Sequence, residues 1–249
     1  MYVLQRHLLP IKAHFVSSLV LTYALPASVL EPYLAPGLVL DTHKGLGFLA
    51  IALVQTRNLR PAFVPARMGI SFFLSGYRIF TRYRTLAGQT LRGLRILRSD
   101  TNRSSLCLFG NILTHYGYEL STWTLDRTDQ SYGIKVLTPD RRADLHVEAD
   151  IRSEAAALPP GSPFENFQEA REFAGPLPFT FDYEPQTHSI IRVEGVRQHW
   201  NPRPVAVTVH RNTFLEQESF RNASPVLANA FFLEDVPYGW KRGIREPLS

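Results

Sequence analysis

A lysine amine, an imidazole or a thiol can carry nucleophilic or metal chemistry, and this chain has four lysines, eight histidines and one cysteine. Its 27 basic residues include only four lysines, Lys12, Lys44, Lys135 and Lys241; the rest are arginine. Three of these lysines fall in an N-terminal arm, a hydrophilic hairpin loop and a basic tail. Lys135 differs, lying in the run Tyr-Gly-Ile-Lys-Val-Leu between Ile134 and Val136. Turned inward it would have its pKa depressed by desolvation; turned outward it is an ordinary strand lysine, the simpler reading. Histidines number 8, yet no two stand at His-x-x-x-His or His-x-His spacing, and His188, His199 and His210 fall on different predicted elements. Neither a metal nor a cofactor is expected. Cys107 is the only cysteine, which precludes an internal disulfide and a multi-cysteine metal site. Its apolar setting makes it a small core residue. No P-loop, dinucleotide glycine fingerprint or Gly-x-Ser-x-Gly elbow is present.

The arginines carry a formal net charge of +5. Arg78, Arg82, Arg84, Arg92, Arg95, Arg98 and Arg103 form a run suited to nucleic acid or another anionic partner. A general preference for arginine over lysine explains the same abundance without a function, and nucleic acid is not the expected partner.

The elements that must position these groups are mostly strands. Strand-like runs are predicted over Phe15–Tyr23, Leu38–Leu40, Phe48–Asn58, Ile70–Arg84, Leu91–Arg98, Tyr118–Asp126, Tyr132–Thr138, Asp144–Ile151, Phe179–Tyr183, Ile190–Val196, Val205–Arg211 and Leu227–Glu234. In one of them Val205, Val207 and Val209 face one way, and Ala206, Thr208 and His210 the other. Helices are few. Ser28 and Glu31 make a capping-box pattern after Pro26, Asp100 to Leu113 is a second helical stretch, and Phe164 to Phe173 a third. In the third, Phe164, Phe167 and Phe173 form a core-facing stripe while Glu165, Glu169 and Arg171 stay wet. The composition, 45% hydrophobic with 16 Phe and 10 Tyr, supports a packed core. No run reaches the roughly 18–20 apolar residues of a membrane span. Phe15 to Leu25 superficially matches a signal peptide.

The order of these segments resembles the acetoacetate-decarboxylase-like superfamily, in its uncharacterised YqjF-like branch. The likeness covers roughly Phe15 to Trp240. It is carried by Leu25–Leu53 (helix, Pro36-Gly37 break, strand, hairpin loop, strand) and by Phe72–Tyr83. It continues through Leu108–Leu120, Gly195–Val207 with its Trp-x-x-Pro feature, and the closing run Leu227–Trp240. The resemblance implies an α+β fold, mainly antiparallel β, with a curled or closed sheet (a barrel) and a few short helices. It implies one domain over 1–249, with an N-terminal arm at 1–14 and a C-terminal tail at 241–249. Phe15 to Leu25 becomes an internal strand, the location cytoplasmic, and a homo-oligomer plausible by resemblance alone.

The superfamily's chemistry depends on a lysine amine that attacks a ketone and forms a Schiff base, which a depressed pKa makes feasible. Matching Gly117-Tyr118 to the family's pair puts Thr114 and His115 where two adjacent lysines are expected. The family's glutamates fall on Leu49 and Leu74, and its N-terminal arginine near Val16. Covalent amine chemistry is therefore expected to be absent. If Leu74 faces inward, Gly76 and Arg78 share its face, and Arg78 would bring a fork of donors suited to a carboxylate or phosphate. The expected ligand site is thus Arg78, Thr114, His115, Leu49, Leu74 and Gly76. Alternatively, Arg78, Arg82 and Arg84 form a solvated stripe, and His115 is a core histidine rather than an acid–base catalyst. Three functions stay open: binding of a small anionic or keto-acid-like molecule, a lysine-independent lyase or hydrolase using His115 and Arg78, and an arginine-rich binder of nucleic acid or an anionic partner.

Overall fold

The computed structural model describes residues 2–152, 157–175 and 177–248. In chain order the strands are β1 (Ile11–Pro26), β2 (Leu38–Leu40), β3 (Leu46–Pro61), β4 (Ile70–Arg84), β5 (Thr90–Thr101), β6 (Tyr118–Leu120), β7 (Thr122–Arg127) and β8 (Ser131–Leu137). They continue with β9 (Leu145–Asp150), β10 (Phe179–Glu184), β11 (Ser189–Arg197), β12 (Arg203–Pro204), β13 (Ala206–Asn212), β14 (Val226–Trp240) and β15 (Ile244–Pro247). The helices are α1 (Ala27–Leu30), α2 (Ser104–Leu113), α3 (Phe167–Ala174) and α4 (Glu218–Arg221).

Backbone pairing runs β14–β1–β3–β4–β5–β10–β11 and returns from β11 to β14, so the sheet curls into a ring. Every neighbour in it is antiparallel except β5 with β10. A second antiparallel sheet, in the order β13–β9–β8–β7, packs on the ring's outer side.

Strand alternation, acting on residues of unequal size, decides where the interior space lies. On β1 and β3 the outward residues are large: Leu19, Leu21, Leu49, Ile51 and Leu53 pack against Ile134, Val147 and Phe232 in the core between the sheets. The inward residues of the same strands are small, Ser18, Val20, Thr22, Ala50 and Ala52. Both faces are covered, which is why Phe48 to Val54 is apolar without alternation. Small side chains on the inner face leave room inside the ring. Tyr77 anchors the outer face, donating from its hydroxyl to Ala143 O at 3.2 Å and stacking on Phe214 at 4.2 Å.

Helix α3 plugs one end of the ring, where Phe164 and Phe173 meet Phe48 and Phe80. Asn166 caps it, its side chain accepting from Glu169 N at 2.9 Å, so the helix starts at Phe167 and Phe164 precedes it. Other expectations shift for similar local reasons. Helix α1 begins at Ala27 behind Pro26 without a side-chain cap, so Ser28 lies inside the helix. Asp100 lies in β5, fully buried on Arg98, and α2 starts only at Ser104. Residues 11–14, expected in an arm, already belong to β1, and Ile244–Pro247, expected in a tail, pairs with β11.

Candidate functional site

Inside the ring is a cavity of about 150 Å³, the size range that admits a molecule of benzene's bulk. Its walls are largely apolar, with Val20, Ala50, Ala52, Val54, Phe72, Leu74 and Phe80 from β1, β3 and β4. Polar groups converge from the other side: Tyr116 and Tyr118, Thr180 of β10, Arg197 of β11, Trp200 and Tyr238 of β14.

Arg78 enters this cavity from β4. The β4–β5 register shifts there, Tyr77 pairing Arg98 and Arg78 pairing Ile96, so Leu97 is an extra residue on β5. Such bulges re-aim side chains. The guanidinium folds over Gly76, where a Cβ would stand 2.9 Å from both Nε and Nη2. Glycine makes room for the cation. Burial lowers the guanidinium's pKa, with Tyr238, Tyr116 and Tyr118 pulling it back. Among the described residues no carboxylate pairs with Arg78, and its Nε has no hydrogen-bond partner.

Two more buried groups on the wall lack partners among the described residues, Thr22 Oγ1 and Trp200 Nε1, and the Tyr116 phenol interacts with the Thr180 side chain. All can donate. Burial raises the Tyr116 and Tyr118 phenols, so both stay protonated at neutral pH. Arg197 lies over the Trp200 ring at 4.9 Å and interacts with Tyr238. Asp182, two residues along β10 from Thr180 and on the same face, has its carboxyl pushed up to about 7 by burial, with Arg95 pulling down.

A model of the DUF2071 family, described as an uncharacterized conserved protein, matches residues 12–234. The chain belongs to this family. No curated protein matches it. Solved structures resemble this DUF2071 protein over nearly their whole length. The acetoacetate decarboxylase of Legionella pneumophila is 9% identical with a TM-score of 0.60, covering 94% of this chain and 86% of that one. An acetoacetate decarboxylase-like enzyme from Sphingomonas wittichii is 13% identical with a TM-score of 0.60, covering 98% and 93%. The enduracididine biosynthesis enzyme MppR complexed with pyruvate is 10% identical with a TM-score of 0.57, covering 94% and 90%. The fold of this DUF2071 protein is acetoacetate-decarboxylase-like.

Of the residues singled out from sequence, the structure brings Arg78, Gly76 and Leu74 together at the cavity. Leu49 lies on the opposite face of β3, fully buried between the sheets, and Ala50 takes the inward place. A one-residue slip in a distant alignment reverses the face of a strand residue. Thr114 ends α2, its hydroxyl donating to Gly110 O at 2.9 Å, and does not line the cavity. His115 is also absent from the wall. It sits in the field of the Arg6–Glu184 pair, whose Nη2–Oε2 distance is 2.6 Å. Burial lowers the imidazole's pKa, Glu184 raises it and Arg6 lowers it. Gly117, with φ of 60°, turns the chain between Tyr116 and Tyr118, both of which reach the cavity.

All four lysines, Lys135 included, are exposed, and none lines the cavity. Cys107 is half-buried on α2, where burial raises its thiol. The arginine run does not form one stripe: Arg82 and Arg92 bind Asp41, and Arg98 binds Asp100, Glu119 and Asp140. Tyr116, Tyr118, Trp200, Arg197 and Tyr238 line the cavity but are not among the site residues expected from the sequence. Only the alternation Tyr238-x-Trp240 signalled a shared inward face. No helix among the described residues is long and apolar enough to cross a membrane.

Proposed function

We propose that this DUF2071 protein binds a small carboxylate of keto-acid type inside the ring, with Arg78 as its anchor and no lysine-dependent covalent step. The observation that carries this reading is a set of donors without acceptors. Arg78 Nε, Thr22 Oγ1 and Trp200 Nε1 are buried around this one cavity, and none has a partner among the described residues. A buried cation and buried donors are costly unless an anion or acceptor satisfies them. A carboxylate takes the guanidinium fork, and a second oxygen takes a hydroxyl or indole N–H. The volume suits a molecule of a few heavy atoms, and MppR, of similar fold, holds pyruvate. Schiff-base formation needs a primary amine at the site, and the lysines lie elsewhere. His115 takes no part in this reading.

A thermal-shift series with pyruvate, acetoacetate and neutral acetone tests it. The acids should raise the melting temperature in a saturable way and acetone should not. Arg78→Met should abolish the response. Borohydride added with pyruvate should leave the protein mass unchanged. A reduced adduct on any lysine, or equal shifts with acetone, would overturn the proposal.

A further inference from the structure

We propose that His146, Glu148 and His210 form a binding site for one divalent transition-metal ion of the Zn²⁺ type on the outer face of the second sheet. Leu145, Val147 and Ala149 of β9 point into the core between the sheets, so His146 and Glu148, two residues apart, share the solvent face. The neighbouring strand supplies the third group through a bulge. Thr208 pairs with Glu148 and Val209 with Val147, but Arg211 takes the place opposite His146, leaving His210 as the extra residue. The bulge sets His210 beside the other two.

The three side chains are already close. His210 Nε2 stands 3.5 Å from Glu148 Oε1, and His146 Nε2 stands 3.8 Å from the same oxygen. All three donor atoms lie within 4.8 Å of one another, and the two imidazole rings are 4.5 Å apart. A tetrahedral ion with bonds of about 2.0–2.1 Å wants donors roughly 3.3 Å apart. Small rotations of partly exposed side chains close that gap without moving a strand.

Two imidazole nitrogens and one carboxylate oxygen favour zinc, nickel or copper over magnesium or calcium. Three protein ligands leave a position for water. The ion would clip β13, an edge strand of its sheet, to β9. Lys135 opposes it, because this residue pairs with His146 across the sheet and adds a positive charge to the same exposed face. The site is independent of the cavity, which has none of these residues on its wall.

The test is calorimetric titration of the tag-free, chelator-treated full chain with zinc chloride. One equivalent should bind, and His210→Ala and Glu148→Gln should each weaken it by more than about tenfold. Lys135→Gln should tighten it, and magnesium should not compete. Cobalt substitution should give visible absorption bands that His210→Ala removes. The unfolding midpoint of metal-free His210→Ala, and of His210→Asn as a second variant, checks that the fold persists. Absence of saturable zinc binding, or binding unchanged in both His210 and Glu148 variants, would overturn the assignment.

Discussion

The guanidinium of Arg78 occupies the space that a side chain at Gly76 would fill, with Nε and Nη2 both 2.9 Å from the place of the missing Cβ. Two residues on one strand face thus act as a unit, one by its charge and the other by its lack of a side chain. Gly76→Ala should push the far end of Arg78 aside rather than disturb the backbone. Alanine suits an extended strand better than glycine by about 0.5–1 kcal/mol, so stability should stay within roughly 1 kcal/mol of the parent. Ligand response should weaken by about tenfold or more. Denaturant unfolding and thermal shift with pyruvate, measured on one preparation, separate the two effects. An unaltered ligand response would show that the present guanidinium position is not the binding one.

Arg78→Met should stabilise the ligand-free protein. It replaces a buried cation lacking an acidic partner among the described residues with an apolar chain of similar length, for a gain of about 1–3 kcal/mol. Urea unfolding of the two proteins without ligand gives the comparison. Destabilisation instead would mean that the cation is satisfied within the fold.

Asp182 gives a pH-dependent prediction. Its carboxyl is raised to about 7 by burial, against about 3.9 in an unfolded chain. Between these values the folded state holds a proton that the unfolded state has released, so this group lowers stability as pH rises from about 4 to about 7. Asp182→Asn removes that contribution. The variant's advantage should be absent below pH 4 and grow to at most roughly 4 kcal/mol by pH 7. Urea melts at four pH values measure the difference; a constant offset would refute it.

Asp41 is fully buried beneath two arginines, Arg82 and Arg92, which close the ring end beside α3. Asp41→Asn leaves both without their anion. Loss of one partner from a buried pair costs about 3–5 kcal/mol. Since the arginines are 42% and 36% exposed, water offsets part of this, and about 1–3 kcal/mol should remain. Added salt should narrow the difference, read as the change in urea midpoint.

Strand positions were legible because side-chain alternation and turn residues act locally: Leu38–Leu40 and Ile70–Arg84 have the same bounds in the structure. Helix starts were less legible. Asn166 fixes one of them, where the apolar stripe suggested Phe164; at the other, Pro26 marks the start as its position suggests, but Ser28 lies inside the helix rather than capping it. At the site, Arg78, Gly76 and Leu74 could be grouped from their spacing on one strand. Tyr116, Trp200 and Tyr238 could not, since they reach the cavity from separate elements.

By itself the sequence determined a strand-rich fold of acetoacetate-decarboxylase-like order, a scarcity of lysine and the shared face of Gly76 and Arg78, all properties of neighbours along the chain. Only the tertiary structure decided that Ala50 rather than Leu49 looks inward, that His115 stands with Arg6 and Glu184, and that His210 meets His146 and Glu148. Ring closure and a bulge set those relations, and both depend on pairings between residues far apart in the chain, which local pattern does not encode.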